Sequence, residues 1–388
     1  MLGNPASAER SAFSKAKETF VIKVVVVDDS AFMRKAISTM LAKDPEIDVV
    51  ATARDGEEGL ELIRKHNPDV VTLDIEMPRM DGLTALRHIM MEMPRPVLMV
   101  SSLTSEGAEA TLKALELGAV DFIPKQLSKV SLDIVKIEAS LISKVKIVAS
   151  RRLIHSRPRP GVAARPATPL TVPGSAGYAP RAAAGAAQGP AKLPGGMVKR
   201  DVVVIGVSTG GPPAVQKVLS AFPENFPASI VIAQHMPAAF TGPFAKRLDG
   251  LCKISVKEAE PGDRLKPGCA FIAPGGKHLL LKQMISRVDL LISPEPASAL
   301  YKPSANVLIT SAAEAVGRRT LGVILTGMGN DGMEGVRTLK QKGGRALAQS
   351  DATCVVYGMP KAIVDAGLSD EIVDIDDMAQ AIMNNLYI

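Results

Sequence analysis

Gly206, Ser208 and Gly210 satisfy the pattern G-x-S-x-G within Gly206-Val207-Ser208-Thr209-Gly210-Gly211-Pro212-Pro213. An apolar run enters this segment and a proline-opened helix is expected to leave it. A sharp turn there would expose the serine hydroxyl, while backbone N–H groups at the helix start would face a developing oxyanion. The competing reading is a phosphate loop, but this segment has neither G-x-G-x-x-G nor a Walker lysine. A nucleophilic serine needs a base. Of five histidines, His66 and His88 lie among the first strand-and-helix repeats and His155 at the head of a Pro-rich stretch, leaving His235 and His278. His235 closes the run Ile230-Val231-Ile232-Ala233-Gln234, as Ser208 closes Val202 to Val207. His278, after Ala273-Pro274-Gly275-Gly276-Lys277, stays open as an alternative base or as a structural or substrate-side residue. The orienting acid is expected at Asp331, reached from Leu321–Leu325 through Thr326-Gly327-Met328-Gly329-Asn330. Its competing role is to cap a helix beginning near Met333. The chain order Ser, His, Asp is no obstacle, because a triad is defined by geometry.

A second constellation precedes this one. Val24–Val27 ends in Asp28-Asp29, Val70–Leu73 in Asp74, and Val97–Val100 in Ser101, while Asp121-Phe122-Ile123 leads to Lys125. In open parallel sheets chemistry gathers outside the carboxyl ends of the strands. Three carboxylates at one edge raise one another's pKa unless a cation neutralises them. All-oxygen ligands suit a hard divalent ion, most simply Mg²⁺. Asp28 and Asp29 alone would read as helix caps. Asp74, Ser101 and Lys125 at matching strand ends favour the site.

The elements that must position these residues follow from periodicity. Continuously apolar runs alternate with amphipathic stretches at Ala31–Leu41, Glu57–Lys65, Gly82–Met91 and Glu106–Leu117, predicting an α/β fold with a doubly wound parallel sheet. Val202–Val207, Ile230–Ala233, Ala270–Ala273 and Leu321–Leu325 predict a second α/β domain with a mostly parallel sheet. Leu279–Ile292 reads as an antiparallel hairpin that would make one side of that sheet mixed. Between the two, from about Arg157 to Gly196, the chain is dense in Pro, Ala and Gly with few large apolar residues, the composition of a linker. The expected division is a disordered tail at 1–20, a first domain at 21–145, a basic linker at 146–198 and a second domain at 199–388.

The 388 residues carry a formal net charge of +6, but residues 151 to 200 hold nine Arg and Lys and no Asp or Glu. Subtracting those nine from +6 leaves −3 for the remainder, so the basic character belongs to the linker and nucleic-acid binding is not expected. Cys252, Cys269 and Cys354 lie far apart and read as plain thiols, not as metal ligands. Residues 1–20 lack the apolar core of a secretory signal, and no run approaches a membrane span. A cytoplasmic monomer without membrane insertion is the expectation.

With these residues in hand, about 22–130 resembles the receiver domain of bacterial response regulators, a flavodoxin-like fold. That resemblance implies Asp74 as phosphoacceptor, and Mg²⁺ held by Asp28, Asp29, Asp74 and the Glu76 backbone carbonyl. It also implies Ser101 and Lys125 as phosphoryl-binding groups and Phe122 as the aromatic switch. Gln126 follows Lys125 where the family has proline, and Pro124 precedes it. The G-x-S-x-G segment, Gln234-His235-Met236-Pro237, Tyr301-Lys302-Pro303-Ser304 and Tyr357-Gly358-Met359-Pro360 resemble the protein-glutamate methylesterases of bacterial chemotaxis over about 200–385. This second resemblance implies Ser208, His235 and Asp331 as triad, with Thr209 and the Met328 backbone near the oxyanion. Lys302 stands where arginine is expected before Pro-Ser. The implied activity is hydrolysis of glutamyl methyl esters, and deamidation of particular glutamines, on chemoreceptors, with no cofactor for the esterase. A chemotaxis histidine kinase would be the phosphodonor, and the unphosphorylated receiver would restrict access. A receiver joined to a non-catalytic adaptor, or an esterase for small molecules, are the alternatives.

Overall fold

The computed structural model describes residues 21–125, 131–156 and 195–387. The expected tail at 1–20, most of the expected linker and Gln126 lie outside the described residues.

In the first half β1 (Ile22–Val27), α1 (Ala31–Leu41), β2 (Ile47–Ala53), α2 (Gly56–His66), β3 (Val70–Asp74), α3 (Gly82–Glu92), β4 (Val97–Ser101), α4 (Ser105–Glu116), β5 (Asp121–Pro124) and α5 (Ser131–Ser156) alternate strictly. The strands form a parallel sheet in the order β2-β1-β3-β4-β5. Val24 to Val27 and Val97 to Val100 are buried along their whole length, as helices on both faces require. The order reverses between β1 and β3, so a crevice opens at their carboxyl ends, beside Asp28 and Asp74. Ser30, not Asp28 or Asp29, caps α1 by accepting from the Met33 N–H, while Asp28 Oδ1 accepts from the Ser30 N–H at 2.9 Å. The helix α5 runs through to Ser156, and its Leu141, Val145, Val148 and Ala149 are buried against the β1 side of the sheet. The apolar stripe that docks the helix simply continues past Val145.

The second half consists of β6 (Val202–Val207), α6 (Gly211–Ser220), β7 (Ser229–Gln234), α7 (Ala238–Asp249), β8 (Ser255–Glu258), β9 (Cys269–Ile272), β10 (His278–Gln283), β11 (Val288–Ser293), α8 (Ala305–Val316), β12 (Thr320–Ile324), α9 (Met333–Gln341), β13 (Arg345–Gln349), α10 (Met359–Asp365), β14 (Glu371–Val373) and α11 (Met378–Tyr387). Its seven-stranded sheet, ordered β14-β13-β12-β6-β7-β9-β8, is parallel at every pairing. The hairpin β10-β11 does not join it, contrary to the expected mixed edge. Leu279, Leu281, Val288 and Leu290 turn one face of the hairpin into the apolar cluster around α8, so burial is satisfied without extending the sheet.

One apolar cluster spans both halves. Leu112 and Leu115 of α4 and Phe122 of β5 belong to the same buried group as Phe240, Phe244 and Leu248 of α7. Burying such side chains stabilises by about 1.5–3 kcal/mol each. Among the described residues no helix is long and apolar enough to cross a membrane.

Candidate functional site

At the crevice of the first sheet, ligand oxygens of Asp28, Asp29 and Asp74 lie within 4.8 Å of one another. Lys125 reaches Asp74 at 2.6 Å and Asp28 at 3.2 Å, its own backbone N–H donating to the Ser101 carbonyl at 2.7 Å. Burial pushes the Asp74 carboxyl up to about 6, Asp28 adding to the shift while the Lys125 hydrogen bond opposes it. Burial also raises Asp28, again against Lys125. One lysine therefore leaves two buried carboxylates incompletely neutralised. Such a set fits a hard divalent cation, with Asp28, Asp29 and Asp74 as ligands. Glu76 is exposed on the loop two residues beyond β3. Ser101 ends β4 as expected, but its hydroxyl is turned to α4: it accepts from Thr111 Oγ1 at 2.6 Å and donates toward the carbonyls of Ser102 (3.1 Å) and Gly107 (3.2 Å).

At the second sheet Val207 pairs with Gln234, so Ser208 and His235 leave adjacent strands at the same level. The turn after β6 needs Gly210, whose φ of 74° lies in the left-handed region. The loop after β12 also comes close. A Cβ at Gly327 would stand 2.8 Å from the Ser208 Cβ, so only glycine lets that loop approach the serine. Thr326 ties the layers together: its hydroxyl donates to the Thr209 carbonyl (2.9 Å) and accepts from the Val356 N–H (2.9 Å), while its own N–H donates to Gln349 Oε1 (2.8 Å).

His235 Nε2 and Asp331 Oδ2 are 2.8 Å apart, both side chains nearly buried. The other ring nitrogen, Nδ1, is buried and has no hydrogen-bond partner among the described residues. Ser208 and Thr209 line the same cavity as His235. Nε2 is thus held by Asp331, and Nδ1 is the ring nitrogen left uncommitted among the described residues. Asp331 does not cap α9, whose N-cap is Gly332. It instead accepts from Ser304 Oγ (2.9 Å), Ala305 N–H (2.6 Å) and Asn306 N–H (3.0 Å) at the start of α8. Burial alone would raise Asp331, but the His235 hydrogen bond and charge and these N–H donors hold it below its ordinary value. His278, the alternative base, is fully buried, with Nε2 at 3.3 Å from the Pro296 carbonyl and Nδ1 accepting from the Ser304 N–H at 3.3 Å. Burial pushes its pKa down, and it holds backbone in place instead of facing the serine.

The cavity, about 440 Å³, is lined from both halves: Ser208, Thr209 and His235 below, Asp121, Phe122, Pro124 and Lys144 above. Phe122 stacks on Phe240 with ring centroids 4.5 Å apart and 20° between planes. Lys144 donates to the Phe122 carbonyl and pairs with Asp121, each at 2.8 Å. Ser143 Oγ contacts the Met328 sulfur at 3.2 Å, and Glu116 pairs with Arg247. Lys302 also lines the cavity, its ammonium donating to the Pro294 carbonyl at 2.8 Å. Sequence reasoning gave no role to Thr326, Gln234, Ser304 or Tyr301. Gln234 was adjacent to the chosen histidine, and its Nε2 donates to the Ser208 carbonyl at 3.0 Å. A buried amide closing an apolar run was the available signal.

Residues 203–382 match the family described as CheB methylesterase, and residues 24–135 the response regulator receiver domain. The chain is 72% identical over 367 residues to protein-glutamate methylesterase/protein-glutamine glutaminase 2 of Nitratidesulfovibrio vulgaris, covering 95% of this chain and 100% of that one. Its identity to the corresponding protein 1 of Oleidesulfovibrio alaskensis is 72% over 372 residues, with 95% and 100% covered. The Lawsonia intracellularis relative is 54% identical over 375 residues, with 94% and 99% covered. The chain belongs to the family of protein-glutamate methylesterases/protein-glutamine glutaminases, which joins a response regulator receiver to a CheB methylesterase domain.

Proposed function

We propose that this chain is a phosphorylation-activated serine hydrolase that converts glutamyl methyl esters on chemoreceptors to glutamate and methanol, and deamidates particular receptor glutamines, in chemotaxis adaptation. The observation that carries the reading is the His235–Asp331 pair at 2.8 Å, with a buried Nδ1 that has no hydrogen-bond partner among the described residues, and with His235 and Ser208 lining one cavity. Ser208 Oγ attacks the ester carbonyl while its proton passes to His235 Nδ1, and Asp331 balances the imidazolium through Nε2. Thr209 and the Met328 backbone flank the position of the oxyanion. The imidazolium then protonates departing methanol, or ammonia from a glutamine. Water, deprotonated by His235, releases the acyl group and restores Ser208.

The receiver spans 21–156 and the hydrolase 195–387 in this reading, with the basic segment between them as tether. The receiver side of the cavity, Phe122 and Lys144 above all, restricts entry before phosphorylation. Asp74 accepts the phosphoryl group from a chemotaxis histidine kinase, and Lys125 and Ser101 bind its oxygens. For Ser101 this requires a hydroxyl now committed to α4 to turn, which would disturb β4, α4 and the neighbouring Phe122. Mg²⁺, held by Asp28, Asp29, Asp74 and the Glu76 carbonyl, supplies charge neutralisation when bound. The proposed compartment is the cytoplasm, and the hydrolase itself uses no cofactor.

The test is methanol release from methylated receptor by the Ser208→Ala chain. Turnover should fall by roughly 10⁶-fold with the fold intact. Unchanged turnover would reject Ser208 as nucleophile.

A further inference from the structure

Tyr301 is neither nucleophile, base nor acid in the proposed triad, yet its ring lies on that of His235. The rings of Tyr301 and His235 stack with centroids 4.2 Å apart and 12° between planes, and both residues line the cavity. The Tyr301 hydroxyl reaches the loop that carries Asp331: a Cβ on Gly329 would stand 3.5 Å from it. Three residues further along the same segment, Ser304 donates to Asp331, followed by the N–H groups of Ala305 and Asn306. The segment is itself anchored, because the Gly276 N–H donates to the Lys302 carbonyl at 3.0 Å and the Ser304 N–H to buried His278. A single stretch, 301–306, thus grips both members of the acid–base pair. Burial, and then the negative charge of Asp331, push the Tyr301 phenol up, so the ring stays neutral.

We infer that Tyr301 is a positioning residue for His235. Its ring fixes the imidazole plane that directs Nε2 to Asp331 and leaves Nδ1 for Ser208, and its electron-rich face stabilises the imidazolium formed when Ser208 gives up its proton. The inference rests on the triad reading. It differs from a substrate contact, which Tyr301 would also be placed to make from the cavity wall, in acting with no receptor present.

Phenylmethylsulfonyl fluoride separates these roles, since it sulfonylates a base-activated serine without engaging a receptor-binding surface. In the full chain, Tyr301→Leu should slow sulfonylation roughly tenfold and lower kcat for receptor demethylation by the same factor, with KM unchanged. Tyr301→Phe should restore both to within about twofold. Pentafluorophenylalanine at position 301 keeps the shape that fixes the imidazole plane and reverses the charge of the face, so it should be slower than Phe and no slower than Leu, and it guards against a Leu variant that fails to fold. Wild-type sulfonylation of the Leu and pentafluorophenylalanine chains would overturn the inference, as would a Phe variant as slow as Leu. Ser208→Ala is the control: if it were sulfonylated as fast as wild type, the triad reading would fall, and this one with it.

Discussion

Two buried aspartates show how differently the halves of this molecule treat a carboxylate. Asp331 receives two N–H groups, a hydroxyl and an imidazole, and is held below its ordinary pKa. Asp74 receives the N–H of Ile75 and a share of Lys125, lies beside Asp28, and is pushed up to about 6. Burial acts against ionisation in both cases. The difference lies in how completely local donors answer it. The His235–Asp331 pair is assembled in the free protein, whereas the acidic crevice is left short of positive charge. A preorganised site suits repeated turnover, and an under-neutralised one suits a group whose charge state is meant to change.

The largest effect on this comparison should come from removing the acid at the satisfied site. Asp331→Asn keeps the shape and loses the charge that fixes His235, and kcat for methanol release should fall about 10⁴-fold with little change in KM. A loss of less than tenfold would separate Asp331 from the chemistry. At the unsatisfied site, Asp74→Asn should leave basal turnover in place but abolish the rise on adding a small phosphodonor and Mg²⁺. An undiminished rise would place phosphorylation elsewhere. Between the sites, Phe122→Leu keeps burial but removes the stack on Phe240, worth about 0.5–1.5 kcal/mol. Basal turnover of the unphosphorylated chain should rise roughly threefold to tenfold, and a fall would contradict a restrictive receiver.

The opposite pKa directions also give opposite stability profiles. Asp331, lowered, contributes stability above its unfolded value of 3.8 that is lost as pH falls through the lower folded value. Asp74, raised, contributes in the other sense: its stabilisation is full below 3.8 and is lost as pH rises through about 6. In metal-free buffer the receiver melting transition should therefore drop between pH 5 and 7, and Mg²⁺ should recover more of it at pH 7.5 than at pH 5. Equal Mg²⁺ effects at both pH values would deny the crevice its role. The smallest effect is expected for Ser304→Ala, which removes the cap of α8 and one donor to Asp331 at a cost of about 1–2 kcal/mol in stability.

Both constellations were legible because parallel strands buried on both faces write themselves as unbroken apolar runs, and the next residue then marks the sheet edge. Asp28, Asp74, Ser101, Ser208 and His235 all stand at such ends. What was not legible depends on contacts distant in sequence. Ser304 and Tyr301 sit on a loop without periodicity, and their partners arrive from β7 and from the loop after β12. Asp331 pairs with His235 as the strand-end rule led one to expect, but its anchoring by α8 was not foreseen, since a cap for the adjacent α9 was its competing local role. The hairpin was correctly seen as antiparallel and wrongly attached to the sheet, because alternation fixes which face is buried and not what buries it. The extent of α5 past residue 145 was hidden by the Arg-rich composition that begins at Arg151. The stack of Phe122 on Phe240 joins surfaces that no local pattern relates.

The most direct test of a receiver-governed hydrolase is the initial rate of methanol release from methylated receptor by the full chain, before and after phosphorylation of Asp74, with Ser208→Ala as blank. A clear rise on phosphorylation, absent from Asp74→Asn, is predicted. A rate that stays level or falls when Asp74 is phosphorylated would contradict the account.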